Sequence, residues 1–75
     1  MHHIQKGIYE HYKGNRYEVL DLAINTETQE PMVIYKALYQ GNFPPDTLWV
    51  RPLSMFQENV SLDGKLVPRF RYISG

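Results

Sequence analysis

The stretch LWVRPLSMFQENV, residues 48–60, contains the change of pattern that decides the fold. Its first half alternates between the two faces of a predicted strand, with Leu48 and Val50 on one side. Trp49 and Arg51 share the other side. We expect Leu48 and Val50 to face the core, which would place the indole and the guanidinium together on the opposite, outer face.

The second half of the same stretch changes from a strand pattern to a helix pattern. Pro52 lacks a backbone N–H and is expected to end the strand. Ser54 then stands as an N-cap with Gln57 three residues later, which is the spacing of a capping box. The apolar residues between positions 55 and 60 predict a helix of one to two turns with an apolar side.

Outside this stretch, turn-forming residues recur at short intervals, as they do in small all-β folds. The apolar residues of the second predicted strand change face after Val19, which indicates a bulge. Pro31 can open the third strand, and Pro68 favours an edge or a bulge in the last one. Two adjacent prolines exclude a strand from residues 40–46. The predicted strands are Gly7–Tyr12, Arg16–Thr26, Met32–Tyr39, Thr47–Pro52 and Leu66–Ile73.

These elements predict one all-β domain over residues 1–75, in which residues 1–6 are flexible. A helix would also suit residues 32–39, but the β-branched and aromatic residues of their first half favour a strand. Five strands with one short helical turn before the last strand are typical of a small SH3-like barrel. An OB-type barrel is the alternative, although its helix usually lies between the third and fourth strands.

Size and composition limit how this domain is held together. The chain has 75 residues and no cysteine, so neither a disulfide nor a thiolate zinc site can stabilise it. A domain of this size is expected to be stable by about 5 kcal/mol. Six Tyr, three Phe and one Trp indicate an aromatic core, since aromatic side chains bury much area per residue.

Charge and hydropathy indicate where the protein works. Eight basic and eight acidic side chains cancel, which disfavours a strong grip on nucleic acid or on an anionic membrane. No apolar run approaches the roughly 20 residues of a membrane span, and the N-terminus lacks an apolar signal region. We therefore expect a cytoplasmic protein that does not bind membranes.

The candidate site is an aromatic and basic face. Trp49 and Arg51 could form a stacking platform with a guanidinium beside it. The alternative is that residues 43–46 cover Trp49, that Arg51 pairs with Glu58, and that the other aromatics only pack across strands. The residues predicted to bind a ligand are Tyr9, His11, Tyr35, Tyr39, Trp49, Arg51 and Arg69.

Catalytic and metal sites have little support in the sequence. It contains no G-x-S-x-G elbow, no phosphate-binding glycine loop and no H-E-x-x-H motif. His11 has no partner at a recognised metal spacing, and His2 and His3 lie at the terminus. We predict no catalytic residues, no metal and no cofactor.

Three functions are compatible with this pattern. The first is a noncatalytic binding module that holds a protein segment or other extended ligand on the aromatic face. The second is binding of RNA or single-stranded nucleic acid by the same face, which the zero net charge does not favour. The third is a small-molecule enzyme or sensor that uses His11 as its ionisable group. An edge strand near Pro68 leaves both a monomer and a weak homodimer open.

Four segments of the chain resemble one bacterial family, the domain of unknown function 1653. They are GIYEHYKGNRYEVL (residues 7–20), VIYKALY (residues 33–39), LWVRPLSMF (residues 48–56) and VPRFRYI (residues 67–73). The resemblance implies a compact standalone domain in bacteria. It supplies no activity, ligand or catalytic residue.

Overall fold

The structure, a computed structural model, describes residues 3–75 and confirms the all-β class. His2 lies outside the described residues. Within them, no helix is long and apolar enough to span a membrane. The elements are β1 (Gly7–His11), β2 (Arg16–Ile24), β3 (Pro31–Ala37), β4 (Leu48–Pro52), α1 (Leu53–Phe56), β5 (Asn59–Leu62), β6 (Lys65–Pro68) and β7 (Phe70–Ser74).

The main sheet is an open antiparallel meander with one returning strand. Strands β1 to β4 pair in succession, and β7 returns to pair with β1, which gives the order β4-β3-β2-β1-β7. Strands β5 and β6 form a separate hairpin. The main sheet has the predicted five strands, but β4 and β7 do not pair with each other. The described residues therefore form two sheets and no closed barrel, so the all-β class is confirmed and the predicted SH3-like barrel is not.

The end of the chain is divided differently from the prediction. Helix α1 begins at Leu53 and has Pro52 at its N-cap, so Ser54 lies inside the helix and caps nothing. This start places Leu53 and Phe56, three residues apart, on the side of α1 that is buried. Asn59 and Val60, which were predicted to belong to this helix, instead begin β5 (Asn59–Leu62).

The last predicted strand is split at Arg69. The Arg69 N–H donates to the carbonyl of Glu58 at 3.0 Å, while its own carbonyl accepts the Tyr12 N–H at 2.9 Å. The N–H of Arg69 is thus bonded to the residue that precedes the β5–β6 hairpin, and its carbonyl is bonded to the residue that follows β1 in the main sheet. Pro68, which has no N–H to donate, marks the break, as its sequence position suggested.

The predicted bulge in β2 is present. Val19 pairs with Tyr35 and Asp21 with Ile34, so Leu20 is the extra residue on the β2 side. The extra residue changes the phase of the strand, so that Val19 and Leu22 both reach the core although they are three residues apart.

The core lies on the inner face of the sheet and is covered by α1. At its centre, the rings of Phe56 and Phe70 stack with centroids 4.1 Å apart and planes 2° apart. Tyr9 and Tyr35 meet the Phe56 ring edge-on at 5.4 and 5.6 Å. The core residues are Tyr9, Val19, Val33, Tyr35, Leu53, Phe56 and Phe70, with Ile4, Tyr17 and Leu22 packed against them.

The predicted phase of β4 is inverted. Leu48 and Val50 are 59% and 62% exposed and point away from the core. Trp49 pairs with Tyr35, whose ring belongs to the core, so Trp49 projects from the inner face. Arg51, two residues further along, projects from the same face. The indole and guanidinium lie together as predicted, but beside the core rather than outside it.

Candidate binding site on the inner face of the sheet

Four aromatic side chains line a cleft where the inner face extends beyond α1. The cleft has a volume of about 190 Å³ and is lined by Tyr17, Tyr35, Tyr39 and Trp49; we call it the aromatic cleft. Tyr17 comes from β2, Tyr35 from β3 and Trp49 from β4, while Tyr39 follows the end of β3. The meander therefore brings one ring from each of three neighbouring strands to the same place.

Tyr17 organises one wall of the aromatic cleft. Its ring meets Tyr35 and Tyr39 edge-on at 5.6 and 5.5 Å, and its hydroxyl lies 3.2 Å from the Tyr39 hydroxyl. Burial, followed by the hydrogen bond with Tyr39, raises the pKa of Tyr17 well above its usual value of 10.0. This phenol stays protonated at neutral pH and offers a neutral hydrogen-bonding edge.

Trp49 forms the opposite wall and is 37% exposed. Phe43, from the loop that follows β3, meets the indole edge-on with centroids 4.8 Å apart and planes at 89°. A second, smaller cavity of about 60 Å³ lies between Trp49 and the loop residues Phe43, Pro44 and Pro45. The loop therefore contacts one side of the indole and leaves part of it open, which lies between the two alternatives drawn from the sequence.

Arg51 adjoins the aromatic cleft through Tyr35. Its Nε donates to the Tyr35 hydroxyl at 3.4 Å, and its guanidinium carbon lies 5.7 Å from the centroid of the Phe70 ring. The predicted partner of Arg51, Glu58, instead pairs with Arg69 at 2.6 Å. Within residues 3–75, no carboxylate forms an ion pair with Arg51.

His11 lies at the rim of the same surface. Its ring meets Phe70 edge-on at 5.0 Å and lies 6.3 Å from the ring of Tyr17. Its Nδ1 accepts the Lys13 backbone N–H at 3.2 Å. Burial lowers the pKa of His11 below 6.5, and the nearby positive charges of Arg69, Lys13 and Arg51 lower it further. Three positively charged side chains therefore lie near this rim.

The seven residues predicted to bind a ligand do not form one site. Tyr35, Tyr39, Trp49 and Arg51 meet at the aromatic cleft, and His11 lies at its rim. Tyr9 is buried in the core, where its hydroxyl donates to the Gln5 carbonyl at 2.7 Å.

Arg69 forms its ion pair with Glu58, at the base of the β5–β6 hairpin. The guanidinium of Arg69 is thus held by a carboxylate rather than offered to the aromatic cleft. The remaining candidate for metal chemistry, His11, belongs to no group of three or more side chains that could hold a metal ion within residues 3–75.

Two residues of this surface, Tyr17 and Phe43, were missing from the sequence prediction. Tyr17 shares its face with Val19, and this period-two relation did not mark it as a ligand-binding residue. Once the bulge after Val19 and the pairing of Tyr17 with Ala37 are known, the ring is seen to lie at the edge of the core. Phe43 lies in a loop, and no periodicity indicates which way a loop residue points.

Because the pKa of His11 is lowered in the folded protein, stability should depend on pH. The unfolded chain titrates His11 near 6.5 and so binds more protons than the folded protein between the lowered pKa and 6.5. The free energy of unfolding is therefore expected to fall as the pH falls through 6.5 towards the folded-state pKa. Urea unfolding of the wild type and of His11→Gln, from about pH 7.5 to 5.5, measures this slope. An equal slope in both proteins would contradict the prediction.

Comparisons with known proteins place the chain in a family. The sequence model of the family described as "Protein of unknown function (DUF1653)" matches residues 7–72. The crystal structure of a DUF1653 protein from Bordetella bronchiseptica is 37% identical and superposes with a TM-score of 0.84, over 93% of this chain and 87% of that chain. No curated protein matches the chain. Agreement in both sequence and fold across nearly the whole domain shows that the protein belongs to the DUF1653 family.

Proposed function

We propose that this domain is a noncatalytic binding module that holds an extended protein segment in the aromatic cleft. The observation that carries the proposal is the clustering of exposed aromatic side chains at one place. Tyr39, Phe43 and Trp49 are all exposed, and they surround the aromatic cleft and its smaller neighbour. Aromatic side chains grouped at the surface are typical of sites that bind other proteins.

The chemistry of the aromatic cleft suits an extended segment that contains proline. Flat aromatic walls bind the ring of a proline in the polyproline II conformation, which loses little entropy on binding. In the hydrogen bond between the Tyr17 and Tyr39 hydroxyls one phenol donates and the other accepts, so the accepting phenol keeps its own O–H group to donate to a backbone carbonyl of such a segment. The carbonyls of a polyproline II segment have no hydrogen-bond partners within the segment.

A protein segment is a better candidate than nucleic acid because most basic side chains are already paired. Ion pairs join Lys6 to Asp21, Arg16 and Arg71 to Glu10, Lys36 to Glu18, and Arg69 to Glu58. These pairs disperse the positive charge that phosphate binding requires, in a chain whose formal net charge is zero. Arg51 alone would make a weak phosphate-binding surface.

We also propose that the chain is related to SH3-like folds, with the β5–β6 hairpin as an addition. Four strands in a meander, a single helical turn and a last strand that returns to the first support this relationship. In SH3-like folds, tyrosine-lined grooves hold extended or proline-rich peptides. The position of the aromatic cleft beside the loop after β3 is compatible with such a groove.

Replacing Trp49 by alanine tests the proposal. On an array of proline-containing peptides, we expect Trp49→Ala to weaken binding by thirtyfold or more, as loss of a central aromatic does at other interfaces. The free energy of unfolding of Trp49→Ala, measured with urea, should be only about 1 kcal/mol below that of the wild type, because the indole is partly exposed.

Leu48→Ala is the matched control, because Leu48 is exposed on the outer face of the same strand. It should leave peptide binding unchanged. If folded Trp49→Ala bound the same peptides as tightly as the wild type, the aromatic cleft would not be the site. Binding to a mixed oligonucleotide pool that weakens steeply with salt would instead favour nucleic acid.

A further inference from the structure

We propose that Arg51 makes the aromatic cleft selective for segments that carry a carboxylate two or three residues before or after the apolar side chain bound beside Trp49. This inference rests on the function proposed above and adds the chemical class of the ligand. It combines an arginine that has no acidic partner in the described part of the chain with an indole two positions away on the same face of β4.

The donors of Arg51 are mostly available. A guanidinium has five N–H donors, and the described residues engage the Nε donor, in a hydrogen bond of 3.4 Å to the Tyr35 hydroxyl. The position of the guanidinium against the Phe70 ring also limits its movement. A planar, partly buried and partly ordered guanidinium favours bidentate recognition of a carboxylate over a general attraction for negative charge.

The other three arginines each have a carboxylate partner. Arg69 is held by Glu58 at 2.6 Å, and Arg71 by Glu10 at 2.7 Å. Arg16 lies 3.6 Å from the same Glu10. Among the arginines of residues 3–75, Arg51 is the one without an ion-pair partner, so a carboxylate that pairs with it would come from a ligand.

Positive charges lie near the rim of the aromatic cleft. After burial, the charges of Arg69, Lys13 and Arg51 lower the pKa of His11. Arg69 is paired with Glu58, so Lys13 and Arg51 are the two of these that have no ion-pair partner in the described residues. A bound carboxylate would be attracted by Lys13 and Arg51 and would raise the pKa of His11.

The geometry of β4 sets the spacing of the ligand. Residues i and i+2 of a strand lie on one face about 6.6 Å apart, so Trp49 and Arg51 have roughly this separation along β4. A segment in the polyproline II conformation rises about 3.1 Å per residue and turns once in three residues. When an apolar side chain of the segment lies in the aromatic cleft beside Trp49, a carboxylate two or three residues away therefore comes within reach of Arg51. The carboxylate can belong to Asp or Glu within a segment, or to the last residue of a chain.

The test uses paired peptides and the intact protein. Each Asp- or Glu-containing member of the proline peptide array is matched with its Asn or Gln twin, and with a version that ends in a free carboxylate at the same position. Binding is followed by NMR on the indole N–H of Trp49. We expect the wild type to prefer the acidic member of a pair by at least tenfold, which is the effect of one charge-assisted hydrogen-bonded pair.

Variants of Arg51 distinguish the guanidinium from general charge. In Arg51→Met, which retains an apolar stem of similar length, the preference for the acid should disappear. Arg51→Lys should retain only part of it, because lysine cannot form the planar fork. Lys65→Met removes an exposed positive charge at the start of β6 and should leave the preference unchanged. The pKa of His11 in the wild type should rise when an acidic peptide binds and stay constant with its amide twin.

Each result bears on one proposal. Equal affinity for acidic and amide twins, or a preference that survives in Arg51→Met, would overturn the role of Arg51 and leave the binding module standing. If no peptide of any form perturbed the Trp49 indole, the proposed function itself would fall, and the inference with it. A preference for the free terminal carboxylate over Asp and Glu would identify chain ends as the source.

Discussion

Replacing Phe56 by alanine is expected to unfold a large fraction of the protein at 25 °C. Phe56 is 1% exposed, stacks on Phe70 at 4.1 Å, and receives the edges of Tyr9 and Tyr35. Removing a buried phenylalanine costs about 3–5 kcal/mol, because burial is lost and a cavity remains. A domain of this size has roughly 5 kcal/mol of stability in total, so little would be left.

Urea denaturation followed by circular dichroism measures this loss, and the same helix provides its control. Met55 is the neighbour of Phe56 in α1, but its side chain is exposed. Met55→Ala should therefore change the free energy of unfolding by no more than about 0.5 kcal/mol. If Phe56→Ala were within about 1 kcal/mol of the wild type, the stacked aromatic pair would not be the centre of the core.

Replacing Gly7 by alanine should have the second largest effect, although it adds only one methyl group. Gly7 has a φ of 136°, and a Cβ built on it would lie 2.4 Å from the carbonyl oxygen of Ser74 and 2.9 Å from the Cα of Gly75. Both atoms belong to the backbone next to β1, so neither can rotate away. The clash and the backbone strain together should cost about 3 kcal/mol or more.

Gly14→Ala separates the two causes. Gly14 also has a positive φ, 105°, but a Cβ there would meet nothing within 4 Å. Its substitution should cost only the strain, about 1–2 kcal/mol. Urea unfolding of the two variants therefore compares strain alone with strain plus contact. Equal losses would show that the close approach of Gly7 to the last strand adds nothing to the cost of the substitution.

The strand limits were predictable where a residue imposes its own geometry. Pro31 begins β3, as a residue without an N–H can, and the change of face after Val19 marks the bulge in β2. Pro68 marks the end of β6. These signals are local, because they depend on a missing backbone N–H or on the alternation of apolar residues along one strand. Tertiary contacts did not override them.

The phase of β4 could not be predicted in the same way. Leu48 and Val50 are as apolar as core residues, while the opposite face carries Trp49 and Arg51. Two faces of mixed character in five residues leave the choice to distant contacts. On the inner face Arg51 donates a hydrogen bond to Tyr35, which belongs to the neighbouring strand β3, and Trp49 packs against Phe43, which belongs to a loop without periodicity.

Only part of the candidate site could be predicted from the sequence, because periodicity groups residues on one face but does not say which face is buried. Trp49 and Arg51 were grouped correctly because period two holds whichever way the strand faces. Tyr9 was placed on the ligand side, although its ring belongs to the core. The division between core and cleft depends on how far α1 covers the sheet, and α1 begins and ends earlier in the chain than the pattern of Ser54 and Gln57 suggested.

The β5–β6 hairpin has a consequence for how the family can vary and for how the protein can be labelled. It pairs with no other strand in the described chain, its Asp63–Gly64 turn has positive φ at both positions, and Leu66 beside that turn is 75% exposed. Extra residues at such a tip add little loop-closure entropy and disturb no core contact. Insertions and deletions among homologues should concentrate there, and a fluorophore or epitope tag can be introduced at the tip without distorting the aromatic cleft.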